Sequence, residues 1–282
     1  MSPIINNKET GKPATIGALG RRILSALVMI PLVISAIFLG GSAFAAMIAF
    51  ACIVMLFEWS RMVERKAFSH AFYALAFGGA VSMFFAASGI YSMSFVAAGS
   101  SSLIAAFLAR QNSGSGVWSA FAAIYIMMPC IALIWLRLDL PQGLALTVVL
   151  FTVVWAADTG AFVFGKFIGG PKISHALSPT KTWAGICGGI IFGSVIGTIA
   201  GIVMFDKSAA LSYFLVGGGL GAASVIGDLV ESGFKRNFSL KDISGFIPGH
   251  GGALDRLDGM IFATAAMTGT ILLYMLIEKL QG

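Results

Sequence analysis

The sequence predicts an all-α fold: a polytopic transmembrane helix bundle of about nine spans, with the amino terminus inside the cell and the carboxyl terminus outside. Three observations lead to this prediction. Hydrophobic residues make up 58% of the chain and charged residues only 11%, whereas a soluble domain carries roughly a quarter charged residues. The apolar residues form long blocks, and the basic residues gather on alternate connections between those blocks.

The apolar blocks are long enough to cross a bilayer. A hydrocarbon core about 30 Å thick requires a helix of about 20 apolar residues. Residues 23–40 carry no charge, and residues 67–109 carry none apart from His70. Hydropathy and turn residues predict helices over residues 23–39, 43–62, 68–85, 90–109, 117–136, 144–164, 183–205, 211–229 and 260–277.

The basic residues predict the orientation. With nine spans, successive connections alternate between the two sides of the membrane. Of the 18 Lys and Arg residues, all but Arg137, Lys207 and Lys279 fall on the side of the amino terminus. Cytoplasmic connections are enriched in Lys and Arg, so this side is predicted to be cytoplasmic. The same bias accounts for the net charge of +6 without a nucleic-acid partner.

The polar connections divide the chain into three predicted parts. Residues 1–22 form a cytoplasmic amino-terminal segment, and residues 23–136 form the first set of transmembrane helices. Residues 137–282 form a transmembrane catalytic part with two long cytoplasmic loops, residues 165–182 and 231–259. The connections on the opposite side are short and chemically plain, so we expect the chemistry at the cytoplasmic face.

Glycine recurs every fourth residue in the predicted helix of residues 183–205. The repeat comprises Gly185, Gly189, Gly193, Gly197 and Gly201. This spacing places hydrogen atoms along one helix face, so a neighbouring helix can approach closely. The repeat therefore predicts tight packing inside the bundle and is compatible with a homodimer.

One carboxylate lies deep in an apolar block. Asp158 is inside the predicted helix of residues 144–164, where an unpaired charge costs several kcal/mol. We interpret Asp158 as functional, because ionisable residues within spans usually mark functional sites. Glu58 lies near the cytoplasmic end of a span and is interpreted as a solvated end group beside Arg61.

The first long loop contains three lysines. Lys166 and Lys172 are interpreted as ordinary cytoplasmic loop charge. Ser178-Pro179-x-Lys181-Thr182 is different, because it directly precedes a predicted helix. Unpaired backbone N–H groups at a helix start favour a bound phosphate, so Ser178 and Lys181 are candidate phosphate-binding residues.

The second long loop carries the strongest concentration of charge. Asp228, Glu231, Ser232 and Lys235 share one helical face through i, i+3, i+4 and i+7 spacing. Asp255 and Asp258 form a second acidic pair with i, i+3 spacing at the head of the last helix. The two acidic groups lie at one membrane depth and are predicted to converge on a cation. Mg²⁺ fits, because it binds carboxylates and shares its remaining ligand positions with water and substrate phosphates.

Together these segments resemble a known family. Ser232-x-x-Lys235-Arg236, Lys241-Asp242 and His250-Gly251-Gly252-x-x-Asp255-Arg256-x-Asp258 are similar to the long motif of the phosphatidate cytidylyltransferases, also called CDP-diacylglycerol synthases. The segments Gly227-Asp228-Leu229-x-Glu231-Ser232 and Asp158-Thr159-Gly160-Ala161 also resemble segments of that family, as does Ser178-Pro179-x-Lys181-Thr182-Trp183. The likeness covers residues 158–258.

The resemblance implies a reaction and a set of roles. The phosphate of phosphatidic acid would attack the α-phosphorus of CTP and give CDP-diacylglycerol and pyrophosphate. Asp228 and Asp255 would bind Mg²⁺, with room for a second, monovalent cation, and Asp258 and Glu231 would complete or orient the shell. The remaining polar residues of the motifs would act on the substrates: Lys235 and Arg236 as catalytic residues, and Asp158, Ser178, Lys181, Lys241, Asp242, His250, Gly251, Gly252 and Arg256 as substrate-binding residues.

Two other functions fit the same composition. A CTP-dependent polyprenol or phytol kinase would transfer the γ-phosphoryl group instead of the cytidylyl group. A transporter would couple Asp158 and Asp228 to an ion, yet a transport path should place polar groups on both sides of the membrane. The length and the polar amino terminus predict a bacterial inner-membrane enzyme that is embedded in the bilayer and works at its cytoplasmic side.

Overall fold

The computed structural model describes residues 16–112, 114–174, 178–240 and 251–281. Helices account for nearly all of these residues. The elements in chain order are α1 (Ile16–Leu39), α2 (Gly41–Glu64), α3 (His70–Ala87), α4 (Tyr91–Gln111), α5 (Gly116–Ala122), a π-helical turn (Ala123–Met127), α6 (Met128–Leu138), α7 (Gly143–Phe167), β1 (Lys172–Ser174), β2 (Ser178–Thr182), α8 (Trp183–Met204), a 3₁₀ turn (Lys207–Ala209), α9 (Ala210–Asn237) and α10 (Leu254–Gln281).

The predicted all-α membrane bundle is confirmed. In the described part of the chain, eight helices are long and apolar enough to cross a membrane, and α1 contributes a shorter apolar stretch, Ser25–Leu39. The segment from α5 to α6 forms one of these spans, Gly116–Leu138. Large apolar side chains such as Phe77 and Leu103 point outward and are 74% and 70% exposed. An apolar exterior of this kind suits contact with lipid.

Two predicted helix ends near the charged loops are wrong. α9 continues to Asn237 instead of ending at residue 229, and α10 begins at Leu254 instead of residue 260. Hydropathy stops at the first charges, but in the fold these charges lie on inner helix faces and are paired with each other. Both ends of the predicted loop of residues 231–259 are therefore helical.

The first polar loop also contains regular structure. α7 extends to Phe167, and β1 and β2 then form an antiparallel hairpin with Lys172 opposite Thr182. β2 leads directly into α8, whose first turn is capped by the Thr182 hydroxyl accepting from the Gly185 N–H at 3.2 Å. The hairpin therefore fixes the position of β2 where it enters α8.

The glycine repeat of α8 packs within the chain, as predicted. Gly193 and Gly217 lie where α8 and α9 touch, and a Cβ added at Gly217 would be 2.5 Å from the Gly193 carbonyl oxygen. On the α7 side, a Cβ at Gly160 would be 2.5 Å from the Gly188 oxygen. α8 therefore lies between α7 and α9 in direct backbone contact.

Two further glycines bring α9 and α10 together. A Cβ at Gly227 would be 2.4 Å from the carbonyl oxygen of Asp258, and a Cβ at Gly259 would be 2.4 Å from the hydroxyl oxygen of Ser224. Gly227 directly precedes Asp228, and Gly259 directly follows Asp258. The close helix crossing thus places these two carboxylates side by side.

Candidate active site

Seven charged residues of the carboxyl-terminal half line one cavity of about 440 Å³. Its walls come from α7, the hairpin, α8, α9 and the first turns of α10. The lining residues are Asp158, Ala161, Phe162, Gly165, Lys166, Ile173, Thr180, Lys181, Thr182, Gly185, Ile186, Val225, Asp228, Asp255, Arg256 and Asp258. One cavity thus combines carboxylates and basic groups with an apolar wall.

An ion pair connects the hairpin to α9. The Lys181 Nζ atom lies 3.2 Å from the Asp228 Oδ2 atom. Both side chains are partly exposed, at 27% and 32%, so the pair is open to the cavity. An incoming phosphate can reach the lysine, and a cation can reach the carboxylate.

A second group of charges connects α9 to α10. The Lys235 Nζ atom lies 2.7 Å from Glu231 Oε2 and 2.9 Å from Asp255 Oδ1. Asp255 Oδ2 also accepts a hydrogen bond from the Gly252 N–H at 3.0 Å. Because Lys235 holds both carboxylates, Glu231 and Asp255 are fixed relative to each other across the two helices.

Three carboxylates from α7, α9 and α10 line the cavity: Asp158, Asp228 and Asp258. The close α9–α10 crossing at Gly227 and Gly259 brings Asp258 beside Asp228. Asp158, on α7, accepts a 3.4 Å hydrogen bond from the Ser224 hydroxyl of α9. Neighbouring carboxylates repel one another unless a cation or a proton lies between them.

Glu58 of α2 caps the amino terminus of α10. Its Oε1 atom accepts from the Ala253 N–H at 3.0 Å, and its Oε2 atom accepts from the Leu254 N–H at 2.7 Å. The side chain is fully buried. The interpretation of Glu58 as a solvated end group is therefore wrong: it satisfies backbone donors that a helix start leaves unpaired and stabilises the positive end of the helix dipole.

The two glycines before α10 make room for this cap. Gly251 has φ +90°, a conformation that other residues rarely adopt. A Cβ at Gly252 would lie 2.9 Å from Glu58 Oε2 and 3.0 Å from Asp255 Oδ2. The glycines thus serve the geometry around Glu58 and Asp255.

The donor set of the cavity fits a hard divalent cation that shares its ligands with a substrate. In the described ranges, no group of three or more His, Cys, Asp or Glu side chains is arranged as a closed metal site. Asp228, Asp255 and Asp258 nevertheless line one cavity, together with Asp158 and with three basic residues that could meet substrate phosphates: Lys166, Lys181 and Arg256. Mg²⁺ is typically held by one or two carboxylates, with water and substrate phosphates completing its octahedral shell.

The structure brings together six of the predicted site residues as cavity lining: Asp158, Lys181, Asp228, Asp255, Arg256 and Asp258. Glu231 and Lys235 lie behind them and contact Asp255. The remaining described candidates, Ser178, Arg236, Gly251 and Gly252, are not among the lining residues. Lys241, Asp242 and His250 lie outside the described residues.

Sequence reasoning missed two residues. Lys166 lines the cavity, and its Nζ atom lies 5.5 Å from the ring centre of Phe162, another lining residue. A lysine four residues after an aromatic on a helix signals such a contact. Glu58 was missed because only the fold brings α2 to the start of α10.

Comparison with known proteins finds relatives along most of the chain. The chain is 32% identical to the phosphatidate cytidylyltransferase of Brucella suis biovar 1, covering 87% of this chain and 90% of that protein. It is 29% identical to the phosphatidate cytidylyltransferase of Pseudomonas aeruginosa, covering 87% and 94%, and 34% identical to that of Staphylococcus saprophyticus, covering 61% and 64%. The model of the cytidylyltransferase family matches residues 20–275. The chain therefore belongs to the cytidylyltransferase family.

Proposed function

We propose that this protein transfers the cytidylyl group of CTP to phosphatidic acid, giving CDP-diacylglycerol and pyrophosphate. The observation that carries the proposal is a cavity inside a membrane bundle that combines an acidic cluster, basic residues and an apolar wall. The names of the relatives in three bacterial genera point to the same reaction.

The two-sided cavity suits one water-soluble and one lipid substrate. Ala161, Phe162, Ile186 and Val225 supply apolar lining beside the carboxylates and Lys181. Acyl chains favour the apolar wall and the bilayer, because transfer of CH₂ groups out of water is favourable. The polar side then receives the lipid phosphate and the triphosphate.

The reaction needs positioning and charge stabilisation. A phosphate oxygen of phosphatidic acid bonds to the α-phosphorus of CTP, and the bond from that phosphorus to the bridging oxygen of the β-phosphate breaks, so pyrophosphate leaves with the electron pair. The nucleophile is already an anion and needs no general base. Lys181 and Arg256 draw the two anionic substrates together and stabilise the charge that develops on pyrophosphate.

Asp228 and Asp255 would hold Mg²⁺, with Asp258 completing the ligand set and Glu231 orienting it. The bound ion would supply charge neutralisation for the phosphate oxygens. The resemblance also implies room for a second, monovalent cation. Lys235 fixes Asp255 and Glu231, and the resemblance adds Arg236 and Lys241 as further phosphate-binding residues.

We place the enzyme in a bacterial inner membrane with its site at the cytoplasmic side. The sequence bias of Lys and Arg toward the connections that carry the site supports this orientation. The bacterial origin of the relatives supports the setting. CTP is then available from the cytoplasm, and phosphatidic acid is available from the membrane.

A mixed-micelle assay with CTP labelled at the α-phosphorus tests the proposal. We expect labelled lipid only when phosphatidic acid and Mg²⁺ are both present, and none after addition of EDTA. Label transferred from γ-labelled CTP instead would identify a lipid kinase. Absence of both products from a folded preparation, with ion flux across liposomes, would indicate a transporter.

A further inference from the structure

Tyr125 lies beneath the acidic cluster and has no role in the mechanism above. Its side chain is 4% exposed, and in the described part of the chain its hydroxyl has no hydrogen-bond partner. Its ring packs against Trp59, Phe234 and Phe262, with ring centres 5.2, 5.1 and 6.3 Å away. These aromatic contacts fix the ring, so the hydroxyl has a defined position.

A local distortion of the helix sets that position. Tyr125 is the middle residue of the π-helical turn Ala123–Met127, and the Met128 N–H bonds to the Ala123 oxygen, five residues back. Pro129 follows immediately. Proline has no N–H, and its ring clashes with the carbonyl four residues earlier, which is that of Tyr125. Pro129 thus explains why the helix widens here.

A buried acceptor faces the same region. The Oε2 atom of Glu231 is bound by Lys235, while its Oε1 atom is buried without a hydrogen-bond partner among the described residues. The rings that pack against Tyr125 lie one helical turn beyond the carboxylates: Phe234 follows Glu231 by three residues on α9, and Phe262 follows Asp258 by four residues on α10. An unsatisfied donor and an unsatisfied acceptor therefore belong to the same region, where the π-helical turn meets α9 and α10.

We propose that Tyr125 is a positioning residue whose hydroxyl donates to the buried carboxylates of Glu231 and Asp258, directly or through one bridging water, and so fixes the carboxylates that bind the divalent cation. This inference rests on the proposed function of the site. A bridging water holds polar groups nearly as well as a direct hydrogen bond.

A neutral donor suits this position. Lys235 already neutralises charge on one side of Glu231 and Asp255, and a second cation behind the cluster would lower its affinity for a metal ion. A hydroxyl orients a carboxylate without cancelling its charge. Outer hydrogen-bond partners of this kind typically change metal affinity or activity by about 10- to 100-fold when they are removed.

The test compares Tyr125→Phe with Tyr213→Phe in the full-length, detergent-solubilised protein. Tyr213 stacks on Phe205 at the other end of α9, so its hydroxyl is a matched control. We expect Tyr125→Phe to raise the Mg²⁺ concentration needed for half-maximal transfer by about 10-fold and to leave the KM for CTP unchanged. Mn²⁺ binding without substrates, followed by electron paramagnetic resonance, should weaken in parallel.

Unchanged Mg²⁺ dependence and unchanged Mn²⁺ binding in Tyr125→Phe would overturn the inference. A wild-type protein that binds Mn²⁺ but makes no labelled lipid would overturn the proposed function instead, and the Mn²⁺ comparison would still decide the role of Tyr125.

A second variant covers the case in which Tyr125→Phe does not fold. Pro129→Ala permits a regular helix and shifts Tyr125, so we expect the same change in metal dependence. Where both single variants fold, the double variant should match Tyr125→Phe alone, because Pro129 acts through Tyr125. Normal metal dependence in folded Pro129→Ala, or fully additive effects, would contradict the proposal.

Discussion

Replacing Glu58 with Gln tests how the acidic site is held in place. In the structure both carboxylate oxygens accept backbone N–H groups at the start of α10, at 3.0 and 2.7 Å. The next residues of that helix include Asp255 and Asp258. The substitution keeps the shape of the side chain and removes its charge and one acceptor.

The expected loss of stability follows from these contacts. The glutamine NH₂ group would face one of the two backbone N–H donors, and a buried donor without an acceptor costs about 1–3 kcal/mol. Loss of the negative charge at a helix amino terminus removes a further 0.3–2 kcal/mol or so. We therefore expect Glu58→Gln to lower the free energy of unfolding by about 2–4 kcal/mol.

The measurement is SDS-induced unfolding in a mild detergent, followed by helical circular dichroism. Glu64→Gln is the matched control on the same helix. Among the described residues, the half-buried Glu64 carboxylate accepts a hydrogen bond only from a nearby one, the Ser69 hydroxyl at 2.9 Å, and it does not cap α10. We expect a loss below about 1 kcal/mol for this variant. Equal unfolding free energies for Glu58→Gln and Glu64→Gln would refute the capping role.

Three further predictions concern the site and the bundle. Asp255→Asn should lower the rate of metal-dependent transfer by about 100-fold or more, while the circular dichroism spectrum stays native. A near-normal rate would contradict the role of Asp255 as a cation ligand. Lys181→Ala should raise the apparent KM for CTP or phosphatidic acid, whereas Lys172→Ala, which lies outside the cavity lining, should not. Equal kinetics in both variants would mean that Lys181 is an ordinary charged loop residue without a role in substrate binding. Gly217→Ala should destabilise the bundle, since its Cβ would lie 2.5 Å from a backbone oxygen of α8. A Cβ at Gly219 would meet no atom within 4 Å, so Gly219→Ala should raise the free energy of unfolding by about 0.5–1 kcal/mol. If Gly217→Ala were the more stable of the two variants in detergent unfolding, the packing argument would be refuted.

Most of the bundle could be predicted from hydropathy. The spans, the break between α3 and α4, and the glycine face of α8 depend on local composition and spacing, which a sequence displays directly. The carboxyl end of α9 and the start of α10 could not be predicted in this way. Their charged residues are stable in helices only because partners on other helices neutralise or cap them.

The acidic residues of the site could be identified individually, but their arrangement could not. Spacing along one helix places Glu231 near Lys235, and the ion pair between them follows from it. The contact of Lys235 with Asp255 and the neighbouring carboxylates of Asp228 and Asp258 instead require a crossing of α9 and α10 at Gly227 and Gly259. No periodicity within one segment indicates that crossing.

The sequence by itself determined that this protein is an apolar helix bundle and that its candidate site residues lie in the carboxyl-terminal half, because hydrophobicity and charge are local properties of the chain. Only the tertiary structure decided that Glu58 caps α10, that Lys166 lines the cavity and that Tyr125 packs between Phe234 of α9 and Phe262 of α10. Each of these positions depends on contacts between segments distant in sequence. Such contacts are set by helix packing and by the need to pair buried polar groups, and neither can be read from a single stretch of residues.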